Sequence, residues 1–300
     1  MTKQFAVLGQ PVAHSLSPAI HQAAYRALKL HWQYGKFEVG VDQLPEFLAA
    51  HSEYAGFSVT MPLKQAAANL ASSQCVITAA TGIANTLVQQ PNGGYAAYNT
   101  DVPALAKIFK ERYEPQKVVI LGAGATAVSA AVAATLVGAQ EIYFVARRQE
   151  AAQQAAATLA TTLQRLAHRT AANPQLHALS FAAIAPDGAH PGDAAHQGDA
   201  RAQLGDTDLT VNALPGDAVV SLPQQLIESD LFDVSYSPWP TATATKWLAQ
   251  STKHTVTNGL VMLQQQAIFQ LRLFLNQDIR AQLPNEAAVW QEINAAVTVK

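Results

Sequence analysis

The stretch from Lys117 to Arg148, KVVILGAGATAVSAAVAATLVGAQEIYFVARR, limits the fold of this chain more than any other segment. Val118 to Leu121 is a short apolar run of the kind that forms a strand buried on both faces. It meets Gly122-x-Gly124-x-x-Ala127, and an alanine- and valine-rich helix pattern then runs to Gly138. A second apolar run, Ile142 to Val145, ends in Ala146-Arg147-Arg148. The pattern predicts one βαβ unit with a glycine-rich turn at its first crossing. Gly122 permits the tight turn, Gly124 lets backbone approach a pyrophosphate, and Ala127 keeps the helix close to the sheet. The first N–H groups of the helix would face the phosphates. Glycine turns also close ordinary α/β crossovers, so a purely structural turn is the alternative. The strand end bears on the choice of dinucleotide. An acidic residue there would hold the ribose hydroxyl of NAD, and this chain has none. Arg147 and Arg148 instead suit a 2′-phosphate, which guanidinium groups meet with several directed donors. The plainer alternative is a solvated basic strand end.

Three hundred residues suit two domains, and a 49% hydrophobic content supplies a sizeable core. The net charge of −2 argues against a dedicated binder of nucleic acid or acidic lipid. With Cys75 as the one cysteine, neither an intramolecular disulfide nor a thiolate metal cluster is possible, and no metal is expected. No apolar run reaches the length of a membrane span, and the chain enters a strand pattern without an apolar signal segment. A soluble, cytoplasmic protein is expected.

Before the glycine turn, Phe5 to Leu8 reads as a buried strand, followed by His14-Ser15-Leu16-Ser17-Pro18 and a helix from Pro18 to Leu30. Pro18 suits the first helical position and Ser17 the N-cap, so Ser17 has a structural job available, whereas Ser15 has none. Strands follow at Gln33–Val39 and Ala55–Val59, the latter leading through Thr60-Met-Pro62-Leu to Lys64. Lys64 thus falls at the carboxyl edge of a sheet, where open α/β folds bind ligands, although a solvated helix start fits equally. Ile83 to Val88 reads as a strand carrying Asn85 inside it, a polar group that needs partners. Tyr95 to Tyr98 returns as a hairpin partner, and Asn99-Thr100-Asp101 opens a helix to Arg112, with Asp101 as N-cap or first-turn acid. Residues 173–205, with His177, His190 and His196 at irregular spacing, read as a variable loop, with a short strand possible at Leu179–Ile184. Apolar strands at Leu209–Ala213 and Leu231–Tyr236 and a helix from Gly259 complete the pattern.

Together these segments resemble the shikimate dehydrogenase family over almost the whole chain, from Val7 to Leu271. HSLSP at 14–18 is similar to that family's substrate serine motif, and SVTMPLK at 58–64 to its catalytic lysine motif. Asn85, Asn99-Thr100-Asp101, the GAGATA turn, the Asp233-Val-Ser-Tyr236-Ser-Pro segment and the helix from Gly259 to Gln266 match further signatures in the same order. The chain departs from the common pattern at Ser58 (often asparagine), Leu63 (often histidine), Ala125 (often glycine) and Ala146-Arg147-Arg148 (usually Asn-Arg-Thr).

The resemblance implies two α/β domains with a cleft between them. Residues 1–101, completed by 257–300, would form the shikimate-binding domain, and 102–256 a Rossmann-type NADP-binding domain. It implies Lys64 and Asp101 as the catalytic pair and Ser15, Ser17, Thr60, Asn85, Tyr236 and Gln266 as substrate-binding residues. The NADP-binding residues would be Gly122, Ala123, Gly124, Ala125, Thr126, Ala127, Ala146, Arg147, Arg148 and Gly259. The expected activity is reversible hydride transfer between NADPH and 3-dehydroshikimate, giving shikimate, in aromatic amino acid biosynthesis, by a monomer or homodimer. The alternatives are a quinate/shikimate dehydrogenase using NAD and a non-catalytic nucleotide-sensing protein on the same fold. Absence of an acid after Val145 counts against the first, and retention of both Lys64 and Asp101 against the second.

Overall fold

The computed structural model describes residues 2–91, 93–168, 170, 172–186, 199–250 and 253–297. They form two compact units, one made of residues 1–104 and 263–300, the other of 105–262.

The first unit is built on a six-stranded sheet: β1 (Gln4–Gly9), β2 (Gln33–Glu38), β3 (Gly56–Val59), β4 (Ser73–Gln74), β5 (Thr86–Gln89) and β6 (Tyr95–Tyr98), in the order β2-β1-β3-β5-β6-β4. β1 runs parallel to β2 and β3, so the chain leaves β1 and β3 at the same edge. β5 is antiparallel to β3 and β6, the latter pairing being the expected hairpin. One face packs Leu8, Leu44, Phe57, Leu63 and Leu87 into a fully buried core. Leu63, one of the departures from the family pattern, is therefore a core residue.

An aromatic cluster lies elsewhere in this unit. His21 is fully buried and stacks on Tyr34 with ring centres 4.1 Å apart; Tyr25, Trp32 and Phe5 pack around them. Burial lowers the His21 imidazole to about 3, opposed only by a hydrogen bond with Gln270. The linkage has a definite sign. An unfolded chain takes up a proton near the ordinary histidine value of 6.5, whereas the folded one stays neutral. Stability contributed by neutral His21 is therefore complete above pH 6.5 and is lost as pH falls towards 3. Between pH 7 and 5 we expect this group to remove about 2 kcal/mol. Urea unfolding of the parent and of His21→Phe at both pH values checks this: the variant should lose less stability on acidification, and equal losses would refute it.

The second unit is a parallel sheet of β7 (Lys117–Leu121), β8 (Glu141–Ala146), β9 (Gln175–Ser180), β10 (Leu209–Asn212), β11 (Asp230–Asp233) and β12 (Val256–Thr257). Its order is β12-β11-β10-β7-β8-β9, so the winding reverses between β7 and β10, the switch point at which doubly wound sheets bind dinucleotides. The helix Ala125–Leu136 follows β7, and every residue from Ala127 to Thr135 is buried.

Some elements differ from the sequence reading. Gln175–Ser180 is the edge strand β9 and Phe181–Ile184 a helical turn, where a loop with a later strand was expected. An edge strand faces solvent, and β9 has no fully buried residue, so it lacks the apolar run that marks the inner strands. His177 lies within β9, stacked on Tyr143 at 4.2 Å; His190 and His196 fall outside the described residues. Among the described residues no group of three or more His, Cys, Asp or Glu side chains is arranged to hold a metal ion. No described helix is long and apolar enough to cross a membrane.

Candidate active site

The two motif loops of the first unit leave adjacent parallel strands and are tied together: Thr60 N–H donates to the Leu8 carbonyl (2.9 Å) and Gln10 N–H to the Met61 carbonyl (2.9 Å). Gly9 is required here, since a Cβ on it would lie 2.3 Å from Thr60 Cγ2. The first loop carries Ser15 and Ser17. Ser17 is not the N-cap expected of it. It is the first residue of the helix Ser17–Ala27, and Leu16 occupies the cap, where its side chain makes no capping bond. Ser15, which had no structural role in the sequence, accepts a hydrogen bond from Ser17 N–H at 3.3 Å. Pro18 fixes the second helical position, so the turn before it must close in another way, and Ser15 does part of this. Ser17 is freed from capping and buried.

The second loop delivers Lys64 as the first residue of the helix Lys64–Leu70. Its ammonium donates to Asp101 Oδ2 at 2.6 Å, and both side chains are largely buried, 13% and 5% exposed. Burial at these values separates the pair from a solvated surface bridge, where salt and water leave little net interaction. Asp101 opens the helix Asp101–Arg112, but the capping is done by Asn99, whose Oδ1 accepts from the N–H groups of Asp101 and Val102 at 3.1 and 3.2 Å. The Asp101 carboxylate is therefore available for other bonds.

Asn85 supplies one of them. It sits just before β5 rather than inside a strand, although its backbone still bonds to both neighbours: Val59 N–H donates to its carbonyl and its N–H donates to that of Tyr98. Its Oδ1 accepts from Thr100 N–H (2.8 Å), which fixes the amide orientation, and its Nδ2 donates to Asp101 Oδ1 (2.8 Å). Gln266 completes the cluster from the helix Leu260–Asn276; its Oε1 lies 3.4 Å from Asn85 Nδ2 and 3.3 Å from the Thr100 hydroxyl. The structure thus brings Lys64, Asp101, Asn85 and Gln266 into one hydrogen-bonded cluster. Thr60 stands at the end of β3, four residues before Lys64.

The sequence reading missed the layer behind this cluster. The helix Leu260–Asn276 buries Gln264, Gln265, Gln266 and Gln270. Gln270 reaches Asn85, Thr86, Ser58 and His21. Tyr34 donates to Ser58 at 2.5 Å. Burial pushes the Tyr34 phenol up, and hydrogen bonds with Ser58 and Ser17 oppose that shift. The available signal was the spacing of Gln270, four residues after Gln266 and so on the same helix face.

In the second unit a groove of about 860 Å³ lies along the carboxyl ends of β7, β8 and β10. Gly122, Ala123, Gly124, Ala146, Arg147 and Arg148 line it, together with Asp217 and Ser221, which the sequence reading did not single out. Gly122 has φ +118°, and a Cβ there would meet the Ala213 carbonyl at 3.1 Å, so the turn requires glycine. Gly124 is the N-cap of the helix Ala125–Leu136 with φ −83°, and a Cβ on it would meet nothing within 4 Å. No steric need inside the chain explains that glycine; open space beside a helix N-terminus fits a phosphate drawn close to backbone. Ala125, Thr126 and Ala127 form the first turn of that helix. Arg147 and Arg148 are both exposed, Arg148 as the N-cap of the helix Gln149–Arg165. Gly259 does not line the groove. A Cβ on it would fall 1.9 Å from the Val234 carbonyl, a close approach that demands glycine whether or not a cofactor is bound. Tyr236 is half-buried in the segment after β11, which is anchored by buried Asp233. The Asp233 carboxylate accepts from Ser235 N–H (3.0 Å), Asn212 Nδ2 (2.9 Å) and the Thr241 hydroxyl. Burial pushes this carboxyl up, and those hydrogen bonds hold it back.

A doubly wound parallel sheet with a glycine turn at its switch point, joined to a second α/β unit bearing a buried lysine–carboxylate pair, defines a two-domain α/β protein of the nucleotide-dependent dehydrogenase class. A family profile described as the shikimate dehydrogenase substrate binding domain matches residues 7–87. The chain is 30% identical over 298 residues to a shikimate dehydrogenase (NADP(+)) of Nostoc sp., covering 92% of both chains. It superposes on the crystal structure of Mycobacterium tuberculosis shikimate dehydrogenase with a TM-score of 0.75 at 30% identity, over 98% of this chain and 100% of that one. The Thermus thermophilus shikimate 5-dehydrogenase in complex with NADP(H) and shikimate gives a TM-score of 0.74 at 26% identity, over 99% of this chain and 100% of that one. The chain belongs to the shikimate dehydrogenase family of oxidoreductases.

Proposed function

We infer that this protein is an NADP-dependent shikimate dehydrogenase, catalysing reversible hydride transfer between NADPH and the ring carbonyl of 3-dehydroshikimate to give shikimate, in aromatic amino acid biosynthesis in the cytoplasm. The observation that carries this reading is the buried Lys64–Asp101 pair, 2.6 Å apart and backed by Asn85. NADP, when bound, supplies or accepts the hydride. The residues of this chain handle one proton and hold the ring. Lys64, as ammonium, donates to the alkoxide oxygen that forms on reduction and, uncharged, takes that proton back on oxidation. Asp101 orients the Lys64 ammonium with one carboxylate oxygen, and its second oxygen is held by Asn85. Ser15 and Ser17 offer hydroxyl donors to the ring carboxylate; Thr60, Asn85 and Gln266 would offer the ring hydroxyls donors and acceptors. Gly122, Gly124 and the first turn of the following helix would cradle the phosphates, and Arg147 and Arg148 would hold the 2′-phosphate. The relatives from Nostoc and Thermus thermophilus, named for NADP and crystallised with NADP(H) and shikimate respectively, support this assignment.

Absorbance at 340 nm, followed with shikimate or quinate and with NADP or NAD in turn, tests the reading. The expected result is rapid reduction of NADP by shikimate and a lower efficiency with quinate. Comparable efficiencies on the two acids would place the protein among dual-substrate dehydrogenases, and no turnover with either would overturn the assignment.

A further inference from the structure

The geometry points to Gln270 as a positioning residue for the proton-handling cluster, and to Thr86 as the link through which it acts. This rests on the assignment of Lys64, Asp101 and Asn85 to that cluster. Gln270 is 1% exposed, and its carboxamide has four partners. Nε2 lies 3.2 Å from the backbone carbonyl of Asn85 and 2.9 Å from Thr86 Oγ1. Oε1 lies 2.7 Å from Ser58 Oγ and 3.1 Å from His21 Nε2.

Hydrogen-bond chemistry gives this network one direction. The Asn85 backbone carbonyl can only accept, so the atom facing it must be the NH₂ of Gln270. Thr86 Oγ1 then receives the second amide proton and must spend its own proton elsewhere. Its acceptor is Asn85 Oδ1, 2.9 Å away. On the other side Oε1 of Gln270 can only accept, which makes Ser58 and His21 Nε2 donors. Burial keeps His21 neutral, so its single proton sits on Nε2. Tyr34 donates in turn to Ser58. Gln270 therefore grips Asn85 twice, directly at its backbone and through Thr86 at its side chain. The Asn85 amide so held presents Nδ2 to Asp101 Oδ1, and Asp101 Oδ2 receives Lys64. Five residues in series, Gln270, Thr86, Asn85, Asp101 and Lys64, form one continuous hydrogen-bonded chain, and the helix Leu260–Asn276 supplies both Gln266 in the cluster and Gln270 behind it.

Two substitutions separate direction from mere filling of space. Gln270→Leu preserves approximate volume and removes every polar contact. Gln270→Glu preserves shape but, when ionised, offers two acceptors where Asn85 and Thr86 need a donor. Both are compared with the parent for kcat and KM on shikimate across pH, with circular dichroism to confirm folding. Gln270→Leu should lower kcat/KM for shikimate about 10-fold at all pH values while KM for NADP stays within about twofold, a loss matching one ordinary hydrogen bond. Gln270→Glu should lose activity as pH rises, through an added ionisation absent from the parent and from Gln270→Leu. Should Gln270→Leu fail to fold, Thr86→Val, which is nearly isosteric, removes the side-chain grip alone and should lower kcat/KM by about 3- to 10-fold. A second readout needs no turnover. The Asn85 side-chain amide protons, followed by ¹H–¹⁵N NMR, should exchange faster in Gln270→Glu and Thr86→Val than in the parent. Unchanged exchange, or a Gln270→Glu pH profile that superposes on the parent's, overturns the proposal. A parent protein inactive on shikimate would instead overturn the assignment of function and leave the exchange measurement to decide this one.

Discussion

Replacing Lys64 by alanine is expected to lower turnover with shikimate by at least about 100-fold while the Michaelis constant for shikimate changes far less. In the proposed mechanism the ammonium makes its decisive bond as charge develops on the ring oxygen, and an interaction made mainly in the transition state shows in kcat rather than in ground-state binding. Its surroundings in the structure favour that role over a solvated helix start, since Lys64 is held at 2.6 Å from a carboxylate that is itself 5% exposed. Asp101→Asn should also slow the reaction, because it removes the carboxylate charge that orients the Lys64 ammonium. The two residues act on one proton, so the double variant should lose less than the product of the single losses. Steady-state kinetics with circular dichroism decides the matter, and a folded Lys64→Ala variant with near-normal turnover would rule the role out.

Removing both arginines after β8 should hurt NADP use far more than NAD use. For Arg147→Ala/Arg148→Ala we expect kcat/KM for NADP to fall by roughly 30- to 100-fold, the size of one or two charge-assisted hydrogen bonds, while kcat/KM for NAD changes by less than about threefold. Both side chains are exposed, so their attraction for a phosphate is open to screening, and the NADP preference of the parent should shrink as salt is raised. Initial rates with each cofactor at low and high ionic strength test this; a parent protein equally efficient with NAD would contradict it.

Much of this was legible because it depends on local rules. The Gly122 turn, the strands around it and the helix after Gly124 follow from residue size and apolar runs, and they stand where those rules place them. Lys64 and Asp101 were each ambiguous alone. Their pairing spans 37 positions and becomes visible only when β3, β5 and β6 bring the two loops together. Gln270 was overlooked for a different reason, its spacing from Gln266 being the one signal the sequence held. In an amphipathic helix a glutamine reads as a solvated residue, and only a partner 185 positions away, Asn85, turns it into a buried strut. Ser17 misled because serine before proline is the usual cap pattern, yet here the chain closes its turn with Ser15. β9 escaped notice because a strand at the rim of a sheet needs no continuous apolar run.

The helix Ala125–Leu136 presents little more than methyl groups, short branched chains and three hydroxyls, and from Ala127 to Thr135 every residue is buried. It behaves as a spacer of fixed thickness. An added methylene at Ala130, Ala131, Ala133 or Ala134 has no solvent into which it can turn, so it must displace the helix and, with it, the first turn at Ala125. The arginines beyond β8 stand outside that packing. Evolution or an engineer can therefore exchange the arginines proposed to read the cofactor's ribose at little structural cost, while the turn proposed to seat its phosphates is locked to the interior of the protein.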